Sequence, residues 1–330
     1  MRTKQDLKKE AFALDVSALP DYIDNKGEIV ANLIAGAKTL GMLMPQTGIK
    51  AGSTERLNIL TTDVTWSSGD CVATATGSNT IITPRDISTV RLTDRELLCL
   101  DELDAKLPMI QAAGARNEEL PFANLYIEEK VKYNSYNLEK LTWLGSIATG
   151  VGNLGLQDGF IEIALQETGN LAYEQSYGAG DFAAIASFSV DPIGAIELLA
   201  ANRTPELYER DDFTVFMNLA NYSSLAKDIR DTYGLNATGD YTNSGMENME
   251  QTMVFPGTNI KIVGTHGLNG VDSLFATYVE NMRYGTDLEN DKEDVELFFD
   301  KYHKQLVSDI VFSIGFQYQD PAQVITVTAP

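Results

Sequence analysis

One stretch near the end of the chain limits its possible folds more than any other. In residues 307–318, VSDIVFSIGFQY, apolar side chains occupy alternate positions. The apolar set is Ile310, Phe312, Ile314, Phe316 and Tyr318, and the polar set between them is Asp309, Ser313 and Gln317. Strict alternation of this length is typical of an antiparallel strand with one buried face. The sequence therefore predicts a sheet near the C-terminus on which earlier parts of the chain pack.

Turns and short apolar runs surround this strand. Phe255–Thr258 and His266–Gly270 contain glycine with proline or asparagine, which predicts turns. The runs 260–263, 273–279 and 324–327 predict further short strands. The last quarter of the chain is therefore expected to be a sheet built largely of hairpins.

The charge of the chain argues against one class of function. The 330 residues include 47 acidic and 25 basic side chains, which gives a net charge of −22. Sequence-independent binding of nucleic acid through a general surface field needs clustered Lys and Arg, so that class is not expected. An acidic chain instead suits a protein that stays soluble at high concentration or avoids nearby polyanions.

Composition also bears on where the protein works. An apolar content of 44% and a charged content of 22% are normal for a soluble globular protein. No stretch approaches the roughly 18 apolar residues of a membrane helix, and the basic N-terminus lacks the apolar core of a signal peptide. Two cysteines, Cys71 and Cys99, are too few for a disulfide framework. We therefore expect an intracellular protein of one large domain or two.

The first part of the chain predicts an arm followed by a helix. Residues 1–18 are mixed and locally basic and are interpreted as an arm. Apolar spacing predicts a helix from about Lys26 to Met44, with Asp24 or Asn25 as its N-cap and Pro45 ending it.

A thin extension is predicted next. Residues 48–92 are rich in Thr, Ser, Val and Ile, with a returning strand over 85–92 and little apolar bulk. Two-stranded excursions of this kind are marginal alone and usually lie on something else. From Asp94 the sequence RELLCLDELDAKL predicts a helix.

Pro121 begins the longest predicted helix, which ends in a group of glycines. Apolar residues recur at helical spacing from Ala123 to Ala148. Roughly 25–28 residues would form a rod of about 40 Å. Strands over 184–190 and 213–217 and helices over 192–202 and 222–233 follow, so the fold class is α+β.

The search for chemical motifs returns little. The sequence GVGNLG has the glycine spacing of a dinucleotide-binding loop at Gly150, Gly152 and Gly155. That motif needs a buried strand before it, whereas a long helix precedes it here, so a flexible joint that ends the helix is favoured. His266 and His303 have no neighbouring ligands at metal-binding spacing.

The acidic segment near residue 290 is a weak candidate for a metal site. Asp287, Glu289 and Asp291 resemble part of a calcium loop, but the glycine at its sixth position is missing, which favours a solvated turn. No catalytic residue, no cofactor and no metal site is therefore predicted.

The order of these elements resembles that of a known family. An arm and helix, a two-stranded extension, a long helix, an α/β region and a C-terminal hairpin sheet resemble, in that order, the major capsid protein of tailed bacteriophages, the Johnson fold of phage Hong Kong 97. The sequence is similar to a branch from phages of Bacteroidota that includes the crAss-like phages. The similar stretches, within residues 31–328, include ERLNILTTDVTWSSGDC, FTVFMNLANYSSLAKDI, FPGTNIKIVGTHGLNG and FATYVENMRYGTDLENDKED.

The resemblance implies a division of the chain. Residues 1–47 would be an N-terminal arm and helix, and residues 48–92 the E-loop, which in the family lies over a neighbouring subunit. Residues 93–181 and 265–330 would form the peripheral domain, with the helix from Pro121 as its spine. Residues 182–264 would form the axial domain near the fivefold and sixfold axes.

The implied function is that of a shell subunit and not of an enzyme. Copies of the chain would form hexamers and pentamers of an icosahedral head around double-stranded DNA, in a virion assembled in the host cytoplasm. The expected partners are the chain itself, a separate scaffolding protein, a portal and decoration proteins, with no membrane. A negative shell would repel the nearby DNA and leave it without specific binding.

Contacts between subunits are expected from the extension and from the acidic turn. The candidate residues are Trp66, Asp70, Arg85, Asp86, Asp287, Glu289 and Asp291. The acidic turn is expected to be the exposed tip of a hairpin, where its charges would tune contacts between subunits.

Two departures from other family members matter. Some members cross-link an E-loop lysine to a neighbour, but no lysine lies between Lys50 and Lys106, so a non-covalent shell is expected. Other members lose a long N-terminal scaffolding segment, whereas about 25 residues precede the first predicted helix here. An uncleaved subunit and a separate scaffolding protein are expected.

Two alternatives remain. An encapsulin-type nanocompartment shares the fold but encloses enzymes. An acidic cytosolic enzyme could instead bind a nucleotide at the glycine cluster around Gly150.

Overall fold

The computed structural model contains three sheets with helices packed on them. It describes residues 33, 34, 36–63, 65, 79–99, 122–167, 169–233, 252–287, 294–300, 302, 303 and 305–328. The described helices are α1 (Lys38–Met42), α2 (Phe122–Leu144), α3 (Phe160–Gln166), α4 (Pro192–Ala201), α5 (Pro205–Tyr208) and α6 (Leu219–Tyr233). The described strands are β1 (Met44–Gln46), β2 (Thr54–Asp63), β3 (Asn79–Ser88), β4 (Val90–Cys99), β5 (Tyr173–Ser176), β6 (Phe213–Asn218), β7 (Thr252–Val254), β8 (Lys261–Thr265), β9 (Leu274–Tyr278), β10 (Met282–Thr286), β11 (Asp294–Asp300), β12 (Gln305–Tyr318) and β13 (Ile325–Thr328).

A six-stranded sheet has the order β5-β13-β9-β6-β8-β7. Its middle strand β6 pairs in parallel with β8 and antiparallel with β9. All six residues of β6 are buried. Val215 belongs to the core that contains residues of α4 and α6, and Phe216 to the core that contains residues of α2 and α3. Burial on both faces explains why this strand is almost continuously apolar.

Several predicted elements of this region are confirmed. The strand over 213–217 and the helices over 192–202 and 222–233 correspond to β6, α4 and α6. The side chain of Asp191 caps α4 by accepting a hydrogen bond of 2.9 Å from the backbone N–H of Gly194.

The strand predicted over 184–190 is wrong. The segment contains only a short 3₁₀ turn at Phe188–Val190. Phe182, Ile185 and Phe188 are buried at a spacing of three, so single side chains anchor an irregular segment to the core. The backbone N–H of Phe188 donates to Asp272 at 3.1 Å, outside any strand ladder.

A five-stranded sheet is built around β12. Strands β10 and β11 pair with β12 in the order β1-β10-β12-β11, and β4 also pairs with it, antiparallel over ten residues. The long strand predicted from alternation is therefore confirmed. Its predicted exposure is wrong, because Asp309 and Ser313 on the polar face are buried as well as the apolar face.

The predicted helix from Asp94 is also wrong over the described residues. Residues 90–99 form β4, and residues 100–120 lie outside the described part of the chain. Leu and Glu favour helix locally, but the edge of β12 offers ten backbone partners in register, from Val90 opposite Ile314 to Cys99 opposite Gln305. Tertiary pairing of this length outweighs a weak local propensity.

The N-terminal helix ends at Met42, two residues before the predicted Met44, and residues 33, 34 and 36 are also helical. Among the described residues, α1 covers Lys38–Met42, and Ala37 before it has extended backbone (φ −79°, ψ 114°). Residues 44–46 form β1, which pairs in parallel with β10. Pro45 therefore lies in an edge strand, where its missing N–H does not interrupt a central ladder. The predicted caps Asp24 and Asn25 lie outside the described residues.

The long helix α2 connects the two large sheets. It begins at Phe122 and ends at Leu144, four residues earlier than the predicted Ala148. Near its C-terminal end, the ring of Trp143 lies 4.9 Å from that of Phe216 and 5.7 Å from that of Phe160. Phe160 in turn lies 5.8 Å from Phe316 of β12. This aromatic cluster joins the inner faces of both sheets in one core.

Candidate assembly interface

A two-stranded ribbon, formed by β2 and β3, projects from the five-stranded sheet. The strands pair antiparallel from Thr54 opposite Ser88 to Asp63 opposite Asn79. Among the described residues no other strand pairs with either, so both outer edges of the ribbon are open. Ten residues per strand give a length of about 33 Å. The predicted two-stranded extension is confirmed, although the returning segment 85–92 is divided between β3 and β4.

The near end of the ribbon, here called the root, is fixed to the body by a small apolar cluster. Leu57 and Ile87 on one face of the ribbon pack with Ile49, and all three are buried. The backbone N–H of Gly52 donates to the carbonyl of Thr89 at 2.8 Å. This hydrogen bond joins the segment that enters the ribbon to the segment that leaves it. The face of the ribbon that carries Leu57 and Ile87 is therefore the face toward the body.

Two glycines of the sheet make room for the root. Gly285 and Gly315 lie opposite each other on β10 and β12. A Cβ at Gly315 would overlap the carbonyl oxygen of Ser88, and one at Gly285 would come within 2.9 Å of the Ile49 Cδ1. The backbone of the root can cross the sheet closely only because both positions lack a side chain. Next to this crossing, Ser313 on the polar face of β12 is buried.

Arg85 holds the root from the side. Its Nη2 donates to Glu167 Oε1 at 3.0 Å and to Gln317 Oε1 at 3.1 Å, and its guanidinium lies 4.8 Å above the ring of Tyr318. The side chain is only 11% exposed. Sequence reasoning assigned Arg85 to contacts between subunits, but its contacts here are within the subunit. Burial beside the ribbon also raises the pKa of Tyr318.

The other candidate contact residues are distributed differently. Asp86 is exposed on the outer face of the ribbon, 3.7 Å from Arg56. Asp287 is only 1% exposed, so its predicted place at an exposed tip is wrong. It follows the last residue of β10 and lines a cavity of about 470 Å³ at the root, together with Arg91 and Ser313. Trp66, Asp70, Glu289 and Asp291 lie outside the described residues.

A buried carboxylate that sequence reasoning missed joins three elements. Glu139 of α2 accepts hydrogen bonds from the backbone N–H of Thr39 in α1 (2.9 Å), from the hydroxyl of Thr39, and from the hydroxyl of Thr265 at the end of β8 (2.5 Å). The Trp143 indole N–H donates to the Thr39 hydroxyl at 2.8 Å. The sequence signal that could have identified Glu139 is its position on the buried face of α2, one turn before Trp143.

A second polar cluster fixes α2 to β4. Lys130 forms ion pairs with Glu96 (2.5 Å) and Asp94 (3.2 Å), and the Tyr126 hydroxyl donates to Glu96 at 2.8 Å. The hydrogen bond from Lys130 outweighs partial burial and lowers the pKa of Glu96. Burial and the acidic neighbours raise the pKa of Tyr126. These contacts give Asp94 and Glu96 of β4 partners on α2.

The glycine motif around Gly150 does not have the geometry of a nucleotide loop. It follows α2, not a strand, and contains a short 3₁₀ helix at Gly152–Gly155. Ser146 N–H donates to the carbonyl of Leu154, and Gly150 N–H to that of Ser146, both at 2.8 Å. The glycines follow the end of α2 at Leu144, as predicted, and these hydrogen bonds close the loop that they form.

The two histidines lie in different surroundings. The ring of His266 stacks on Tyr136 at 4.6 Å, and His303 is exposed. Within the described ranges, no group of three or more His, Cys, Asp or Glu side chains could hold a metal ion. The helices of those ranges also include none that could span a membrane.

Comparisons with known proteins reveal the fold. No protein-family model matches the sequence, and no curated protein does. The procapsid of satellite phage P4, which includes a size determination protein, matches with a TM-score of 0.56 and 13% identity over 91% of this chain and 98% of that chain. The capsid of an empty GTA particle matches with 0.56 and 13% over 89% and 90%. A structure from Mycobacterium phage Cain matches with 0.53 and 13% over 89% and 90%.

The matches extend along most of the chain. About nine-tenths of the chain is covered in each case, so the likeness is not confined to one sheet or helix. Identities of 13% show a common fold and leave individual residue roles open. The predicted α+β class is confirmed. The chain therefore has the Hong Kong 97-like fold of tailed-phage capsid proteins.

Proposed function

We propose that this chain is the major capsid protein of a tailed phage. Copies of it assemble into the hexamers and pentamers of an icosahedral head that encloses double-stranded DNA. The observation that carries the proposal is the ribbon. Among the described residues its outer edges have no strand partner, and it exposes Ile81 and Ile82, in a chain with a capsid fold. A lone ribbon of this kind is stable only against another surface, and a shell of identical copies supplies one.

The domains follow the division given by the family. Residues 48–92 are the E-loop, and residues 1–47 the N-terminal arm and helix. Residues 93–181 and 265–330 are the peripheral domain, and residues 182–264 the axial domain. Strands β9 and β13 lie after residue 264 but belong to the six-stranded sheet, so the chain passes between the two domains more than once.

The partners and the location follow from the same role. A scaffolding protein, a portal and decoration proteins act with the shell, which assembles in the host cytoplasm and becomes part of the virion. The net charge of −22 favours a lumen that repels DNA and leaves it free to move. Mapping of charge on the inner surface of an assembled shell tests this, and a strongly basic inner surface contradicts it.

Contacts between subunits are proposed for five of the candidate residues. Asp86 on the outer face of the ribbon is available for them, as proposed for Trp66, Asp70, Glu289 and Asp291. Arg85 instead contacts Glu167 within the subunit, and Asp287 is buried in the lining of the cavity at the root. No lysine lies between Lys50 and Lys106, so the shell is held without a lysine cross-link from the ribbon.

Electron microscopy of the purified protein is the test. Closed icosahedral particles, together with nuclease-protected DNA in particles from infected cells, support a phage head. Particles that contain a protein cargo in place of DNA support the encapsulin-type alternative. A monomer that binds a nucleotide contradicts the proposal. Particles that run as covalent ladders on a denaturing gel contradict the non-covalent shell alone.

A further inference from the structure

One face of the long helix α2 is largely exposed and carries aromatic and basic side chains. Residues three and four apart on a helix share a face. Here that face, called the α2 stripe, consists of Glu129, Lys132, Tyr133, Tyr136, Asn137 and Lys140. Tyr133 is 64% exposed and Tyr136 is 42% exposed. Large aromatic side chains that lie together at the surface usually mark a site of interaction.

Neighbouring side chains hold the middle of the α2 stripe in place. The ring of Tyr136 stacks on that of His266, with the ring centroids 4.6 Å apart and the ring planes within 1° of parallel. The ammonium group of Lys140 lies 4.8 Å from the centre of the same tyrosine ring. A surface that is already formed loses little conformational entropy when a partner binds to it.

Positive charge distinguishes the α2 stripe from the chain as a whole. The stripe contains two lysines and one glutamate, whereas the whole chain contains 47 acidic and 25 basic side chains. Within the described residues, neither Lys132 nor Lys140 forms an ion pair. Exposed cations without a counter-charge favour a partner that carries carboxylates.

The described chain begins beside α2 and runs in the same direction. The hydroxyl of Ser135 donates to the carbonyl of Leu33 at 2.7 Å, and the backbone N–H of Thr39 donates to Glu139 at 2.9 Å. Residue numbers therefore rise together in the two segments. The chain before Leu33 is directed toward the N-terminal half of α2, where Lys132 lies.

The residues before Leu33 are complementary to the α2 stripe in charge. Residues 10–32, EAFALDVSALPDYIDNKGEIVAN, are here called the acidic lead, and they contain five acidic side chains and one basic one, Lys26. Leucine, isoleucine and tyrosine lie between these charges and can cover exposed aromatic rings. An extended segment of this length spans about 75 Å, whereas the α2 stripe is about 17 Å long. The acidic lead can therefore reach every part of the stripe from Leu33.

We propose that the acidic lead lies on the α2 stripe of its own copy. Its carboxylates pair with Lys132 and Lys140, and its apolar side chains cover Tyr133 and Tyr136. The contact is made within one subunit and does not depend on the proposed shell function. It assigns an occupant to the exposed face of the longest described helix.

Cross-linking of the unassembled full chain with a carbodiimide tests the contact. This reagent joins a carboxylate to a lysine amine without a spacer, so it links only groups that touch. The expected products join a carboxylate of the acidic lead to Lys132 or Lys140, as identified by mass spectrometry of the peptides. Lys227 and Lys261 are the matched controls, since both are exposed but lie on α6 and β8. If the two stripe lysines link to the acidic lead no more often than the controls, the proposal is overturned.

Isotope labelling distinguishes the lead of the same copy from that of a neighbour. Equal amounts of labelled and unlabelled chain are mixed before cross-linking. Links within one copy join peptides of the same label, and this is the expected result. Labelled peptides joined to unlabelled ones, in the proportion expected for links between copies, would show that a second copy occupies the stripe. That result overturns the proposal and leaves the shell function intact.

Charge reversal gives an independent measurement. In the double variant K132E/K140E the stripe repels the acidic lead, so trypsin should cleave after Lys26 about fivefold faster, as expected when two exposed ion pairs are lost. The control K227E/K261E reverses the same number of charges elsewhere and should be cleaved at the parental rate. Equal cleavage rates in K132E/K140E and the parent overturn the proposal. If the unaltered chain forms no particles, the shell function fails and this contact still stands.

Discussion

Strand β12 and the ribbon are both built from long alternating strands, yet they differ in their strand partners and in their burial. β12 has partners on both edges and is buried on both faces for most of its length. The ribbon strands β2 and β3 have one partner each among the described residues, and they are exposed beyond the root. The same local pattern therefore produces a central core strand in one place and an unsupported projection in the other.

The two regions meet at one crossing, which explains the difference. The root passes over β12 at Gly315, on the face that alternation assigned to solvent. Arg85 and the cluster of Ile49, Leu57 and Ile87 hold the root there. Beyond this crossing, no described part of the subunit covers the ribbon. Coverage of a strand is thus decided by which segment crosses it, and four predictions test where coverage ends.

The largest effect is expected at the crossing itself. G315A places a Cβ against the backbone of Ser88, which cannot move without displacing the root, and should lower the free energy of unfolding by about 3 kcal/mol. Chemical unfolding of the unassembled subunit measures this. The matched control is G285A, whose Cβ meets the ends of the flexible side chains of Ile49 and Ile87 and should cost less. Equal losses would show that the root is not held at Gly315.

The next effect concerns the body on which the ribbon is mounted. E139A leaves the Thr39 N–H and the Thr265 hydroxyl buried without their acceptor, so stability should fall by about 2 kcal/mol. E139Q keeps one acceptor oxygen and should lose less. Thermal unfolding compares the two variants. A parental midpoint for E139A would mean that the junction of α1, α2 and β8 does not depend on this carboxylate.

A smaller effect is expected where the ribbon leaves the body. R85A removes two hydrogen bonds and the contact with Tyr318, at a cost of about 1 kcal/mol, and should raise amide hydrogen exchange in β3. The control is R56A on the outer face, where the side chain is 75% exposed and its ion pair adds little. If both variants exchange alike, Arg85 does not support the ribbon.

The smallest effect is a change in acid sensitivity of the body. The folded-state pKa of Glu96 is lowered by Lys130, so its stabilisation is present above the unfolded pKa and is lost as pH falls through the folded value. E96Q should therefore be slightly less stable than the parent at pH 7, and the gap should close in acid. Urea midpoints at about pH 7 and pH 3 measure this, since an unperturbed Glu titrates near 4.3. E129Q on the exposed side of α2 is the control, and a gap independent of pH would contradict the prediction.

Elements with a strong internal period could be predicted from the sequence. α4, α6 and most of α2 were recognisable because a buried face imposes its spacing on the residues that form it, and β6 was recognisable as a short continuous apolar run. β4 was not recognisable, because its Leu and Glu side chains favour helix and only the edge of β12 makes it a strand. The strand predicted over 184–190 was wrong for a related reason. Single buried side chains at Phe182, Ile185 and Phe188 resemble a short apolar run in the sequence.

The candidate interface was predictable in outline and not in detail. Low apolar bulk marked the extension correctly. Arg85 of the extension and Asp287 of the acidic turn were assigned to contacts between subunits, but both are largely buried within the subunit. Charge alone cannot distinguish a surface residue from one that a distant segment covers. Glu139 was missed for the same reason, because its partners come from α1 and β8, about 100 and 126 residues away.

By itself the sequence determined the α+β class, the long alternating strand, the long helix, the thin extension and the acidic charge that two copies must overcome when they meet. These properties depend on residue type and on spacing over short distances, and both can be read from a single sequence. Only the tertiary structure decided that β12 is covered on both faces and that Gly285 and Gly315 let the root cross. It also decided that the apolar residues of the ribbon extend beyond the part of the ribbon that the described body supports. Those outcomes depend on contacts between segments far apart in sequence, and no local pattern specifies them.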